Sequence, residues 1–496
     1  MSESMVSYLP DEADIQSISR HSISQNVSID DEKKYEVVFD GKDDQENINE
    51  SMSLTRKWFI SFILSCTSIC VTMLSSCWSM ASEHIINHFG ISREVSILGI
   101  SLYIFGVGFG PLFLSPISEF YGRKLTYIFG LSLCCVFQIL TAFSPNFGGL
   151  LFGRFCSGFF GSAFLSVAGG TFTDQFNKEE IGAPLTLFSI SPFLGPSLGP
   201  LISAVINENL YWRWTFYIML IYSTVMLLLI LVFVPETYVP VLLIKKAKRK
   251  RAETGDDNYY APLEIMQREQ SVFSAVLFSA KRPFMLLIQD RMMAVLCFYS
   301  GLLLAILYLF FVAFPYIFDK VFQFSKIGQG LSFLGMMVGM IIGGATAPKF
   351  QSIYNSSGKP RSELRLYPLM VGSIFSPIGL FIFAWTCFSK LHWIGSMVGT
   401  AIFGIGISLI FQGIFGYTAD AYRLYSASAM ACNSLVRSVM SGVFPLFGLQ
   451  MYEACGVNWG GSILAFATLA MIPFPFLFYK YGETLRNKSP YAWSMD

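Results

Sequence analysis

Charge is what this sequence has least of. Only 14% of its 496 residues are Asp, Glu, Lys or Arg, against roughly a quarter in a soluble globular chain. That shortage, with 53% hydrophobic residues and a mean hydropathy of +0.53, excludes a protein that is water-soluble as a whole. A paired-thiol motif is also missing. None of the ten cysteines forms a CxxC, and Cys66, Cys70, Cys134, Cys135, Cys156, Cys297 and Cys432 fall inside apolar runs, where a thiol behaves as a small hydrophobe. The four histidines (His21, His84, His88, His392) lie in tails or expected outer loops. No Ser/His or Asp/Asp pairing falls inside an apolar run, which argues against an intramembrane enzyme. Bases are dispersed along loop edges, so no nucleic-acid module is expected.

What is present is a series of long apolar runs. A bilayer core needs about 20 apolar residues per helix. Such runs fall near 58–81, 95–117, 125–144, 149–172, 181–206 and 214–234. After a polar stretch come 292–318, 327–347, 367–388, 393–416, 430–451 and 459–479. Twelve spans put both termini on one side. If that side is cytoplasmic, the inner segments carry 23 Lys and Arg against 5 in the outer ones, as positive-inside topology requires. The expected organisation is an acidic, disordered cytoplasmic tail (1–55), a six-helix bundle (56–234), a cytoplasmic central loop (235–291), a second six-helix bundle (292–480) and a cytoplasmic tail (481–496). The head holds thirteen acids against four bases, net −9, which leaves +10 for the rest of a chain whose net charge is +1. Few apolar residues and high charge make it a poor core former, and it lacks the basic start and short apolar core of a signal peptide. In the central loop, "KKAKRKR" (245–251) suits either an anionic lipid surface or a solvated segment that fixes topology. Nothing in 252–291 reads as a folded domain.

The two halves share a register. Span 4 ends with Gly170, Asp174 and Phe176, span 10 with Gly416, Asp420 and Tyr422; each is Gly-x-x-x-Asp and then an aromatic two residues on. Such repeats are how many transporters are built. Between spans 2 and 3, "SPISEFYGRK" (115–124) places Glu119 at a helix end and Arg123 beyond a glycine turn, a pairing able to latch neighbouring helices. Within the apolar runs only Arg154 and Arg437 are well inside. An intramembrane charge is costly and marks function by default, although Arg154 is close enough to the outer edge to snorkel. Span 5 reads "SPFLGPSLGPLIS", with Gly195, Pro196, Gly199 and Pro200 on a four-residue interval. Glycines so spaced give a smooth face for close helix packing, and prolines bend the helix. "GVGFG" (106–110) and "GIGIS" (404–408) lie in apolar spans with no strand before them, so they are packing glycines and not nucleotide loops.

Together these motifs resemble the major facilitator superfamily: the loop after span 2 is similar to its Gly-x-x-x-Asp-x-x-Gly-Arg-Lys pattern, with Ser115 and Glu119 as departures. The "GPSLGP" helix resembles the span-5 antiporter motif. "WRWTFYI" (212–218), "VPETYVPVLLIKKA" (234–247), "DAYRLYSASAMACNSLVRSVMSGVFPLFGLQMY" (420–452) and "YGETLRNKSPYA" (481–492) are similar to the fungal twelve-span drug:proton antiporters over about residues 56–492. The resemblance implies an all-α membrane protein of two pseudo-symmetric six-helix bundles. It also implies export of drugs, xenobiotics or, in some members, polyamines, driven by inward proton flow. It associates the span-4 arginine, here Arg154, with proton coupling. No cofactor is implied beyond the proton gradient. The expected partners are a small molecule, protons and the bilayer, for a monomer in the plasma membrane or, alternatively, the vacuolar membrane.

Uptake of a nutrient, which the "GPSLGP" helix opposes, and a non-transporting sensor, which would carry a large structured extension, are the other readings. No carboxylate stands in the middle of a span. Glu119, Asp174 and Asp420 remain as proton-carrier candidates at the cytoplasmic ends and Glu83 and Asp319 at the outer ends, and a polycation would lack a buried acid to meet. Neutral or weakly charged amphipathic cargo fits better, held by an aromatic cavity for which Phe188, Phe193, Tyr299, Tyr308 and Phe311 are candidates.

The orientation makes a prediction. Asn26, Asn49, Asn355 and Asn487 begin N-x-S triplets on the expected cytoplasmic side, so glycosidase treatment of yeast-expressed protein should leave its gel mobility unchanged. A mobility shift would place a sequon outside and reverse the topology.

Overall fold

The computed structural model describes residues 35–39, 47–176, 180, 182–269, 272–356, 361–388, 390–422, 425–487, 489 and 491–492. They form two compact units, which are taken separately. The larger holds Met52–Tyr238 and the residues from Val272 onward, and it contains eleven stretches long and apolar enough to cross a bilayer. Spans 1 to 6 are Leu54–Phe89, Arg93–Tyr121, Arg123–Phe143, Phe147–Gln175, Thr186–Asn209 and Trp214–Phe233. Spans 7 to 10 are Arg291–Phe322, Lys326–Ser356, Ser362–Thr386 and Ile394–Ala421. The eleventh stretch, Ser426–Arg486, is 61 residues long, about 90 Å as one helix against a hydrocarbon core of about 30 Å. It reverses at Gly456, where φ is 77° and ψ 164°, a backbone state that side-chain-bearing residues rarely adopt. It therefore supplies spans 11 and 12, and the chain is a twelve-span, multi-pass membrane protein.

Local chemistry sets where spans begin. Ser92 accepts from Val95 N (3.3 Å), Asn146 from Gly149 N (2.7 Å), and Asp290 from Met292 N and Met293 N (2.9 and 3.2 Å), satisfying donors a helix start leaves open. Spans 1, 4 and 8 are interrupted. Span 1 breaks at Cys77 between helices Leu54–Ser76 and Trp78–Phe89.

Glycine decides how closely the spans approach. In span 2, Gly106 and Gly110 lie on the span-4 backbone at Phe155 and Phe159, while Gly108 faces Ser438 of span 11. In span 10, Gly404 lies on Met336 of span 8 and Gly406 on Ser376 of span 9. Gly195 meets Thr72, Ile69 O and Met73 N of span 1, and Gly199 meets Ser76 and Met73 O one turn on. The spacing of "GPSLGP" is thus the spacing of one seam against span 1, with Pro192, Pro196 and Pro200 inside a continuous helix Gly182–Asn209.

Across the two halves, span 2 packs on span 11 and span 5 on span 8, the pairs that a duplicated six-helix unit exchanges. At the end expected to face outward, Lys326 of span 8 pairs with Glu83 of span 1 (3.2 Å) and meets His84 Nε2 (2.9 Å). There Ile327 N donates to Glu208 of span 5 (2.8 Å). The halves are joined at that end. Apolar side chains such as Phe62, Val136, Ile221 and Val232 remain exposed around the perimeter, as a lipid-facing surface demands.

The smaller unit corrects two expectations. Described residues of the acidic head and of 239–271 pack together. Glu36 forms a parallel bridge with Tyr260, and Val37, Ala247 and Ala261 make a small core with Leu243, Ile244 and Tyr259. Val239–Thr254 and Pro262–Glu269 are helices. Four of the six "KKAKRKR" bases are engaged inside the unit: Lys246 donates to Val38 O (3.1 Å), Arg249 pairs with Glu253 (3.2 Å), Lys250 lies over the Tyr259 ring (5.8 Å) and Arg251 pairs with Glu264 (2.6 Å). Neither segment has enough apolar surface alone. The few apolar residues of one find those of the other, and single-segment composition does not register that. Residues 1–34 of the head lie outside the described residues.

Replacing Gly195 by valine tests the seam. Its Cβ would stand 2.7 Å from Ile69 O, and overpacking of this kind costs about 1–3 kcal/mol. Purified G195V should unfold at a lower temperature in detergent than the parent. Unchanged unfolding and yield would disprove the contact.

Candidate functional site

Arg154 binds the first half together. Its side chain is 1% exposed, so it is turned inward and does not snorkel. Nε donates to Gly99 O of span 2 (2.9 Å), Nη1 to Leu74 O (2.6 Å) and Nη2 to Ser75 O (3.3 Å) of span 1. Both span-1 carbonyls lie just before the break at Cys77. The guanidinium also lies over the rings of Tyr103 (4.4 Å) and Trp78 (5.4 Å). Those rings are fixed in turn, because Tyr103 OH donates to Val71 O (2.7 Å) and Trp78 Nε1 to Ser96 O (2.9 Å). Gly99 has no side chain where the Trp78 indole passes, which leaves its carbonyl open to Arg154. A buried cation is thus neutralised by backbone dipoles and ring faces, with no acid in contact.

From this cluster a polar link crosses to the second half. Ser75 Oγ donates to Thr72 O (2.6 Å), so the 2.8 Å contact between Ser75 and Tyr308 of span 7 has the tyrosine as donor. Arg437 lies over the rings of Phe411 and Phe415 of span 10 (5.4 and 5.3 Å), and its Nε is buried without a hydrogen-bond partner.

The aromatic candidates divide. Phe193 of span 5 meets Phe411 across the halves (5.0 Å), and Tyr308 and Phe311 are neighbours (4.9 Å) at the same level. Phe188 packs on Phe172 within the first half (5.1 Å), and Tyr299 is buried on span 7. Neither of these two touches the arginine cluster.

At the expected cytoplasmic ends the pairing differs from the sequence reading. Arg123 pairs with Asp174 (3.2 Å) and donates to Ser118 Oγ (2.9 Å), while Glu119 is exposed and makes no ion pair among the described residues. Gly122, with φ of 95°, turns the chain between spans 2 and 3, and Arg123 reaches Asp174 of span 4. The sequence reading missed Glu236. Its carboxylate accepts from Arg123 N (2.9 Å), Lys124 N (3.1 Å), Thr237 N (3.0 Å) and Tyr238 N (2.9 Å). It caps span 3 from a site 113 residues away in sequence. Its one sequence signal was a carboxylate inside "VPETYVP".

The second half repeats the arrangement. Arg365 pairs with Asp420 (2.9 Å) and lies on the Tyr354 ring (3.7 Å). In each Gly-x-x-x-Asp the glycine makes room for the arginine, Gly170 under Arg123 and Gly416 beside Arg365. Tyr422 continues the series by donating to Asp290 (2.7 Å) at the start of span 7. Burial and that carboxylate hold its phenol protonated well above the usual range.

Two six-helix halves, related by an internal repeat and meeting around mid-span arginines and aromatic rings, define a solute carrier. The family model described as Major Facilitator Superfamily matches residues 63–445. The chain is 53% identical to "Probable drug/proton antiporter YHK8" of Saccharomyces cerevisiae, covering 94% of this chain and 91% of that protein. It is 41% identical to "Efflux pump atB" of Aspergillus terreus, covering 93% and 90%. In fold it is similar to the xylose transporter XylE of E. coli (TM-score 0.60, 13% identity, covering 86% of this chain and 99% of that one). The chain belongs to the major facilitator superfamily and, within it, to the fungal drug:proton antiporter family.

The Arg154 cluster predicts a separation of charge from geometry. Lysine keeps the charge but cannot reach three carbonyls on two spans, so Arg154→Lys should cost about 2 kcal/mol or more of stability. Thermal unfolding in detergent measures this. An Arg154→Lys protein as stable as the parent would show that the carbonyl network is dispensable.

Proposed function

We propose that this protein is a proton-coupled exporter of small amphipathic organic compounds, working by alternating access between its two halves. The observation that carries the reading is the 53% identity, over nearly the whole chain, to a relative named as a drug/proton antiporter. Three structural features support it. The halves meet through Gly-rich seams, which can shift without unlocking interdigitated side chains. Ion pairs stand at the span ends: Lys326–Glu83 at one end, Arg123–Asp174 and Arg365–Asp420 at the other. Such partly exposed pairs are individually weak, as groups that separate in each cycle must be. Thirdly, the level between them is aromatic and holds no carboxylate, which suits apolar cargo over polyamines.

In this reading Arg154 is a positioning residue that couples spans 1, 2 and 4, while Asp174 and Asp420 are the acids that protons reach by displacing Arg123 and Arg365. The protein acts as a monomer in the plasma membrane with both termini cytoplasmic, and it uses the proton gradient and no bound cofactor.

The test is efflux of a preloaded neutral dye from pump-deficient yeast, with and without a protonophore. Efflux several-fold above empty-vector cells, abolished by the protonophore, is expected. Full dye retention with the protein present at the cell surface would overturn the reading.

A further inference from the structure

Arg437 is the one mid-span cation whose surroundings do not explain it. It stands eleven residues into the helix that starts at Ser426, about 16 Å along the axis and hence near the middle of a bilayer core. A guanidinium carries five donors and cannot discharge itself by losing a proton. Arg154 spends its donors on three carbonyls. Arg437 does not. Its Nε is buried and unpartnered, no ion pair among the described residues includes it, and the guanidinium lies over the faces of Phe411 and Phe415.

The acids that could serve it are committed elsewhere. Asp420 pairs with Arg365, while Asp290 caps span 7 and accepts from Tyr422. A charge within a membrane span is normally paired, and no carboxylate among the described residues meets this half-buried one.

We propose that the missing partner is the cargo: Arg437 is the binding cation for an amphipathic organic anion, a carboxylate on a flat apolar body. This deepens the export reading above and rests on it. The planar fork of a guanidinium matches a carboxylate through two parallel hydrogen bonds. Phe411 and Phe415 flank that fork, and Phe193 lies on Phe411 from the opposite half at 5.0 Å. An aromatic body attached to the carboxylate would therefore lie against rings from both halves.

One free guanidinium suits a single negative charge. A phosphate dianion would call for a second cation, and Arg154 is held by three carbonyls of the first half. A cation is excluded by the same charge. In a cell with a negative interior the membrane potential itself drives an anion outward, so this cargo adds an electrical driving force to the proton gradient. It also fits the lack of a mid-span carboxylate among the described residues.

The test compares two probes of the same shape, 1-naphthylacetate and its uncharged amide, 1-naphthylacetamide. Their binding to the purified full-length protein is followed through quenching of its tryptophan fluorescence at pH 7. The acid should bind at least about ten-fold tighter than the amide, the effect of one charge-assisted pair. Arg437→Gln should erase the preference, and Arg437→Lys should keep part of it, because the charge survives without the fork.

Equal affinities for the two probes in the parent protein overturn the proposal, whether or not the variants fold. An acid preference that survives in Arg437→Gln overturns it too. The yeast dye assay is independent: neutral-dye efflux without an acid preference leaves the export reading standing and removes only the anion site.

Discussion

Much of this structure follows from one hydrogen-bonded cation. In hydrocarbon a guanidinium has no water to turn to, so Arg154 must find its acceptors in protein. It finds them at Gly99, Leu74 and Ser75. The requirement propagates. Span 1 breaks at Cys77 beside those carbonyls, Gly99 must lack a side chain, and Trp78 and Tyr103 supply ring faces. Ser75 then carries the network to Tyr308 in the other half. This network fastens spans 1, 2 and 4 to one another, while it reaches the other half through a single pair of hydroxyls. That asymmetry suits a carrier, whose halves must be rigid within themselves and loosely joined to each other.

The second constraint is proximity. Helices in a membrane gain little from hiding apolar surface, since lipid is equally apolar, and they associate by close packing. Glycine serves this at Gly106, Gly195, Gly199 and Gly404. It serves a different purpose at Gly170 and Gly416, where it makes space for an arginine. The ion pairs at those positions are partly exposed at the span ends and can be broken at modest cost. The repeat preserves both uses, so the two halves carry equivalent seams and equivalent latches.

The two mid-span arginines look alike in one dimension and differ in three. Both interrupt apolar runs with no acid nearby in sequence. Arg154 is held by three backbone carbonyls, while Arg437 faces rings and keeps its Nε unspent. The first behaves as part of the scaffold. The second is placed as a group awaiting a partner, and its neighbours come from spans 5, 7 and 10.

The spans themselves were legible in the sequence, because crossing a bilayer forces length and composition on every one of them. Even the pair merged in Ser426–Arg486 separates by length alone. The repeat was legible through Gly170/Asp174 and Gly416/Asp420. What the glycine and aspartate hold was not, since Arg123 and Arg365 lie far off in sequence. Glu236 was hidden for the same reason, and Glu119 was set with Arg123 as a latch because the two are adjacent in sequence, whereas Arg123 pairs with Asp174. The small unit of Val37, Ala247 and Ala261 escaped because neither segment is apolar enough alone. Hydropathy, topology and repeat are properties of the chain read along its length, so the sequence determined them by itself. Which carbonyl, carboxylate or ring meets each charge depends on neighbours from other spans, and only the tertiary structure decided that.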